Sequence, residues 1–233
     1  NMLGKKSFSN PSTFSFQVHS EYDHASTQLS EQLKRKAEEV PIDHDLVIIC
    51  IGTDRSTGDS LGPLIGSALK KEKLSNFYVY GTLADPVHAV NLDEKLETIL
   101  HLHKDPFIIA IDACLGRLKN IGKITFSEGP VVPGAAMKKK LPNVGDMHIT
   151  GIVNVSGLME YFVLQNTRLH TVMTMAECVS KGFLLADKKM KNRQVSLSFQ
   201  RDVESKYRSH GFSKSETAFS LQDDIQNEGF SSK

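Results

Sequence analysis

The chain has 233 residues, with 28 Lys and Arg against 27 Asp and Glu and a formal net charge of +1. This near balance excludes the strongly basic surface that nucleic-acid binding requires, so we expect no nucleic-acid partner. The length is enough for one domain with a substantial hydrophobic core.

Membrane and export signals are absent from the sequence pattern. No apolar run approaches the roughly 20 residues that cross a bilayer, and residues 1–20 lack the apolar stretch of a secretory signal. The three cysteines, Cys50, Cys114 and Cys178, are odd in number and are not spaced as zinc ligands. We therefore expect a cytoplasmic protein with reduced thiols and no membrane partner. Nothing in the sequence indicates an oligomeric state.

Composition divides the chain into three parts. Residues 1–23 are polar and rich in serine, which predicts a poorly structured leader. Residues 24–190 carry the apolar patterns of a single α/β domain. Apolar residues thin out after that, so the polar tail 191–233 is predicted to be disordered or weakly helical.

Helices and strands alternate through the first half of the domain. Apolar periodicity predicts helices at 24–39, from near 60, and at 90–103, and strands at 46–51, 77–83 and 107–112. Helical crossovers between strands require a parallel sheet with helices on both faces. The predicted fold is a three-layer α/β sandwich around a mostly parallel, twisted sheet.

The second half of the domain has a less regular pattern. We expect an edge strand at 122–127, a long loop at 129–146, a helix at 153–165, a strand at 168–174 and a last helix at 175–190. A loop as long as 129–146 inside a compact domain is typically functional or disordered.

Two aspartates follow apolar runs of strand length. Asp59 closes a glycine-rich loop after the strand at 46–51, and Asp112 ends the strand at 107–112. If both strands are parallel, both carboxylates lie at the carboxyl edge of the sheet, where open α/β sheets bind ligands. Two close carboxylates can share a proton, so that one acts as a base on water and the other as an acid. The same pair can instead bind a divalent metal.

Each aspartate also has a structural interpretation. Asp59 or Ser60 could cap the helix that begins near 60, and Asp112 could satisfy a turn after its strand. The loop glycines, Gly52, Gly58 and Gly62, fit neither the dinucleotide fingerprint nor the P-loop, so we interpret them as a tight turn.

Four further residues are candidates for the same cleft. His148, at the end of the long loop, could complete a metal site with the two aspartates, or be a polar loop residue. Asp85 and His88 follow the middle strand and could line the rim. Cys114 could be a nucleophile with His148 as its base, although a half-buried thiol without a chemical role is the interpretation we favour.

Four segments carry a family resemblance: 50–63 (CIGTDRSTGDSLGP), 81–92, 111–117 and 148–157. In this order they resemble the YyaC family of spore-forming bacteria, which is related to germination protease and to hydrogenase maturation proteases. The resemblance extends over roughly 45–190 and implies a phosphorylase/hydrolase-like α/β fold.

The resemblance also implies a function. By analogy with germination protease, Asp59 and Asp112 are the catalytic pair, and small acid-soluble spore proteins are candidate substrates. By analogy with the maturation proteases, Asp59, Asp112 and His148 could bind nickel or zinc, the only cofactor that the resemblance suggests. The expected location is the cytoplasm of the sporulating cell or forespore.

We therefore expect a peptidase that hydrolyses a peptide bond with an aspartate pair. Two alternatives stay open at this point. One is a sporulation protein that binds a peptide without cleaving it. The other is a metal-dependent protease of the maturation type.

Overall fold

The computed structural model describes residues 14–133 and 142–193. In chain order the elements are β1 (Ser15–His19), α1 (Ala25–Glu38), β2 (Leu46–Cys50), α2 (Leu61–Glu72), β3 (Phe77–Tyr80), α3 (Leu92–Leu102), β4 (Phe107–Gly116), β5 (Lys123–Glu128), β6 (Met147–Val155), α4 (Glu160–Gln165) and α5 (Leu169–Lys189). Short 3₁₀ turns lie at Gly58–Ser60 and Leu118–Asn120. No helix within the described ranges is long and apolar enough to cross a membrane.

The strands form one six-stranded sheet in the order β1-β5-β6-β4-β2-β3. The four strands β6, β4, β2 and β3 run parallel to one another. Strand β5 is antiparallel to both of its neighbours, β1 and β6. The predicted mostly parallel sheet is confirmed.

Side chains of the central strands alternate between two hydrophobic cores. In β2, Ile48 and Cys50 pack into the core formed with α1, α2 and α5. Their neighbours Val47 and Ile49 face the other way, into the core formed with α3. Because β2 is buried on both faces, its sequence is a continuous apolar run. Helices therefore cover both faces of the sheet, and the predicted three-layer α/β sandwich is confirmed.

The predicted leader contains a strand that the composition concealed. Residues 15–19 form β1, which pairs with β5 along its whole length. Val18 is buried, Phe16 packs against the main core, and the ring of Phe14 meets that of Phe126 edge-on at 5.4 Å. Apolar residues at every second position form this strand despite the surrounding serines. The strand predicted at 122–127 is consequently interior rather than an edge strand.

Two predictions in the second half are also wrong. Residues 153–155 belong to β6 and only 160–165 are helical, because residues 147–154 alternate between the two faces with the period of a strand. The predicted strand at 168–174 is the first part of α5. Val172 stays in helical phase with the buried residues Met175, Ala176 and Val179.

The chain divides between Met190 and Lys191 into two compact units, Asn1–Met190 and Lys191–Lys233. This division coincides with the start of the predicted tail. The first unit holds every helix and strand given above. Residues 1–13 of the predicted leader, residues 134–141 of the long loop and the tail from 194 onward lie outside the described residues.

A buried carboxylate connects the end of the last helix to the segment before β3. Asp187 accepts hydrogen bonds from the backbone N–H groups of Ser75 and Asn76, each at 2.9 Å, and from the Asn76 side chain at 3.0 Å. The Asp187→Ala variant should lower the free energy of unfolding by about 2–3 kcal/mol, because these donors lose their shared acceptor. Urea denaturation measures the change. The exposed Asp23→Ala is the control, expected within about 0.5 kcal/mol of wild type; equal effects would contradict this account.

Candidate active site

The loop after β2 folds back on itself at the carboxyl edge of the sheet. Gly52 donates its N–H to the Val87 carbonyl at 2.8 Å, and the Thr53 N–H bonds the Asp59 carbonyl at 3.1 Å. Gly52 has a φ of +146°, and a Cβ there would lie 2.0 Å from the Asp59 carbonyl oxygen. Only glycine allows this approach, which fixes the backbone of Asp59 against the end of β2.

Asp59 lies in the 3₁₀ turn that leads into α2. Neither this turn nor α2 has a side-chain cap at its N-terminus, so Asp59 is not a helix cap. Its side chain is half-buried, and burial raises the pKa of its carboxyl group. The Ser56 hydroxyl opposes this shift and lowers the pKa of Asp59. The two groups interact without a hydrogen bond of standard geometry, since Ser56 Oγ has no such partner among the described residues.

Asp112 lies inside β4, which continues to Gly116. It therefore does not end its strand, and the turn interpretation is wrong. Burial raises the pKa of Asp112, a hydrogen bond from the Ala113 N–H partly opposes this rise, and the negative charge of Asp59 adds to it; together these effects bring the pKa to about 8. The Asp112 side chain is nevertheless only half-buried.

The charge of Asp59 thus couples the two carboxyl groups electrostatically. Coupled carboxyl groups with raised pKa values keep one proton between them near neutral pH, and they are a frequent sign of an active site. The more strongly shifted Asp112 keeps the proton, and Asp59 is the group that ionises first. A coupled pair of this kind can supply a general base and a general acid.

His148 does not join the pair. In the sheet register His148 lies opposite Ala110, whereas Thr150 lies opposite Asp112. Two residues along a strand correspond to about 6.6 Å, so His148 is displaced toward the amino edge. Its Nδ1–H donates to the Gly129 carbonyl at 2.8 Å.

The metal site predicted from Asp59, Asp112 and His148 is not assembled in this structure. Across residues 14–133 and 142–193, no three His, Cys, Asp or Glu side chains form a cluster that could hold a metal ion. With His148 bonded to the Gly129 carbonyl, the residues present do not fit a nickel or zinc site.

The loop after β3 lies beside the Asp59 loop. Val87 forms a bridge with Ile51, directly before Gly52. Asp85 pairs with Lys95 at 2.9 Å, and the His88 N–H donates to the Asn91 side chain at 2.8 Å. Asp85 and His88 therefore lie at the same sheet edge as Asp59. Their polar groups bond residues of their own loop and of α3.

Cys114 is half-buried two residues beyond Asp112. Burial and the charge of Asp112 raise the pKa of its thiol to about 11, and a hydrogen bond with Thr150 only partly opposes this. A nucleophilic cysteine needs a lowered pKa, so the structure favours a thiol without a chemical role. Cys50 is fully buried in the core, and burial raises the pKa of its thiol even more.

Alkylation tests the assignment of Cys114. At pH 7 the Cys114 thiol should react with iodoacetamide about a hundredfold more slowly than a free cysteine, because its thiolate fraction falls with the pKa. Mass spectrometry of the labelled protein measures the rate, and Cys114→Ser identifies the labelled position. Reaction faster than free cysteine would contradict this assignment.

A depression of about 540 Å³ lies at the opposite edge of the sheet. It is lined in part by Lys36, Phe107, Glu128 and Met147. Lys36 pairs with Glu39 and Glu128 at 2.8 and 2.9 Å. These contacts raise the pKa of Lys36 and lower that of Glu128, which keeps both groups charged. This is a structural ion-pair network, so the carboxyl edge is the better candidate site despite the size of the other depression.

Two residues near the pair were absent from the sequence predictions. Thr150 lies opposite Asp112. The sequence would have predicted this position if residues 147–155 had been interpreted as a strand. Ser56 is 6% exposed, which no local pattern in a polar loop indicates.

Fold and site together define an α/β sandwich with a coupled carboxylate pair at the carboxyl edge of its sheet. The chain belongs to the family described as protein of unknown function (DUF1256), which matches residues 17–182. It is 60% identical over 162 residues to the uncharacterized protein YyaC of Bacillus subtilis (strain 168), a match that covers 70% of this chain and 77% of that protein. The predicted resemblance to the YyaC family is confirmed. Neither description states an activity, so the relationship to germination protease stays a prediction.

Proposed function

We propose that this protein is a peptidase that uses Asp59 and Asp112 as an acid/base pair. The observation that carries the proposal is the coupling of the two carboxyl groups: burial raises both pKa values, and the Asp59 charge adds to the shift that brings Asp112 to about 8. A protonated and an ionised carboxyl group at one sheet edge are what acid/base hydrolysis needs at neutral pH.

The proposed reaction begins with Asp59 as the base. Its carboxylate takes a proton from water while the water oxygen bonds to the peptide carbonyl carbon, and Asp112 gives its proton to the carbonyl oxygen. The resulting diol collapses as Asp59 returns its proton to the amide nitrogen and the C–N bond breaks. Asp112 recovers a proton from the diol, so the products are one carboxylic acid and one amine, and both aspartates return to their starting forms.

Exposed apolar side chains near the pair favour a polypeptide substrate. Helix α4 packs against the turn that carries Asp59. On and before this helix, Leu158, Met159, Tyr161 and Phe162 are between 57 and 93% exposed. Such a concentration of exposed apolar surface is typical of a binding surface. By the family resemblance, we propose small acid-soluble spore proteins as substrates and the cytoplasm of the sporulating cell or forespore as the location.

Cleavage assays test the proposal. The full chain should cleave small acid-soluble spore proteins or a mixed peptide library, with products identified by mass spectrometry. Asp59→Asn should reduce the rate by about 10³-fold, because it removes the base. Asp54→Asn is the matched control, since Asp54 is an exposed aspartate of the same loop, and should keep wild-type activity. Equal rates for the two variants would contradict the proposal.

A non-catalytic peptide-binding protein is the second candidate, and the same exposed apolar residues favour it. In that case the wild type would bind the spore proteins without cleaving them, and Asp59→Asn would bind equally well. Calorimetric titration beside the cleavage assay distinguishes the two functions.

A further inference from the structure

Ser56 is a buried serine in the loop that carries Asp59. It is 6% exposed, and its Oγ has no hydrogen-bond partner among the described residues. Buried hydroxyl groups without partners are uncommon in folded proteins, because they lose their hydrogen bonds to water without replacement. The residues around Ser56 should therefore explain why its hydroxyl is buried without a partner.

The neighbouring serine shows that the loop itself does not require this arrangement. Ser60 is 7% exposed, and its hydroxyl donates to the Thr57 carbonyl at 2.7 Å. Ser56 makes no such local bond. Its hydroxyl instead interacts with the carboxylate of Asp59, three residues along the chain, whose pKa it lowers.

The backbone of Asp59 is held in place, so its side chain is the part of the residue that can change position. The bond from the Thr53 N–H and the close approach of Gly52 hold the Asp59 carbonyl in place. The Asp59 side chain is therefore the group that can turn to accept a hydrogen bond from Ser56. A donor on one oxygen of the carboxylate leaves the other oxygen to take the proton from water in the proposed reaction.

We propose that Ser56 is a positioning residue whose buried hydroxyl orients the Asp59 carboxylate as the base of the pair. The catalytic role of Ser56 in this inference rests on the proposed function. The hydroxyl itself touches neither water nor substrate in the reaction, and its effect passes through Asp59. It also makes the pair unequal, because the Ser56 hydroxyl lowers the pKa of Asp59, whereas the Thr150 hydroxyl opposite Asp112 bonds Cys114.

Three variants test the proposal. Ser56→Ala removes the donor, and Ser56→Cys keeps a weaker one in nearly the same volume. Ser180→Ala is the matched control, because Ser180 is also 6% exposed with an unpartnered hydroxyl, but lies in α5. NMR titration of the Asp59 carboxyl carbon and the pH dependence of kcat are measured for each variant, with thermal unfolding to confirm the fold.

The proposal predicts that Ser56→Ala raises the pKa of Asp59, moves the acid limb of the rate profile to higher pH and lowers kcat about tenfold. Ser56→Cys should give smaller changes in the same direction, and Ser180→Ala none. An unchanged Asp59 titration in Ser56→Ala, or an equal shift in Ser180→Ala, would overturn the proposal. The titration needs no hydrolysis, so a shifted pKa in a protein that cleaves no peptide would support the role of Ser56 while refuting the peptidase.

Discussion

Replacing Asp112 by asparagine should abolish peptide hydrolysis and at the same time stabilise the folded protein. The loss of rate is expected to be about 10³-fold, because asparagine cannot donate the proton that the carbonyl oxygen receives. The gain in stability follows from the cost of burying a carboxyl group. Asparagine is neutral at every pH and has nearly the same shape.

The sign of this stability change follows from proton binding. The pKa of Asp112 is about 8 in the folded protein against a reference value of 3.8. The folded state thus holds the proton more tightly, and wild-type stability should fall as pH rises from about 4 to about 8. Asp112→Asn removes that dependence, with a gain on the order of a few kcal/mol above pH 7.

Urea denaturation of wild type and Asp112→Asn between pH 4 and 9 measures the effect. The two stability curves should lie close together near pH 4 and diverge as pH rises. Asp54→Asn, with its exposed side chain, should follow the wild-type curve throughout. Parallel curves for wild type and Asp112→Asn would refute a buried, protonated Asp112.

Replacing Gly52 by alanine should destabilise the protein by about 3 kcal/mol or more and remove its activity. A Cβ at this position would lie 2.0 Å from the Asp59 carbonyl oxygen and 2.9 Å from Pro63 Cδ. The Asp59 backbone and the Pro63 ring must move to relieve the overlap, which displaces Asp59 from its position at the end of β2. Steric overlap of this kind is among the few causes of large single-residue effects.

Gly157→Ala is the matched control for Gly52→Ala. Gly157 has a similar φ of +158°, but a Cβ there would meet nothing within 4 Å. Thermal unfolding should therefore show a smaller loss for Gly157→Ala, which introduces only the backbone strain, than for Gly52→Ala, which adds the steric overlap. Similar shifts would mean that backbone conformation, and not the contact with Asp59, decides the effect.

The sheet was predictable where strands are buried on both faces. Residues 46–50 and 107–111 are continuous apolar runs because each contacts helices on two sides. The placement of Asp59 and Asp112 at one edge followed from these runs and from parallel connectivity alone. The electrostatic coupling of the pair agrees with that reasoning.

The half of the sheet formed by β1, β5 and β6 was less predictable. In β6 the polar residues His148, Thr150 and Asn154 occupy one face, and Gly151 interrupts the apolar positions of the other. Helix propensity and alternation compete in such a segment, and tertiary packing decides the outcome. Because β6 was not predicted as a strand, its register was not predicted either. The position of His148 relative to Asp112 depends on that register.

Ser56 illustrates what no local pattern could reveal. It lies in the 52–59 loop, which packs against α4: a Cβ on Gly58 would lie 2.7 Å from Leu164 Cδ2. Contacts between segments about a hundred residues apart are set by the whole fold. A polar loop sequence alone therefore predicts exposure.

NMR titration of the Asp112 carboxyl carbon, in wild type and in Asp59→Asn, tests the central claim that the two aspartates are a coupled acid/base pair. We expect Asp112 to titrate near pH 8 in the wild type and at lower pH in Asp59→Asn, because that variant removes the neighbouring negative charge. Titration of Asp112 below about pH 5, unaffected by Asp59→Asn, would show two independent carboxylates and contradict the proposed mechanism.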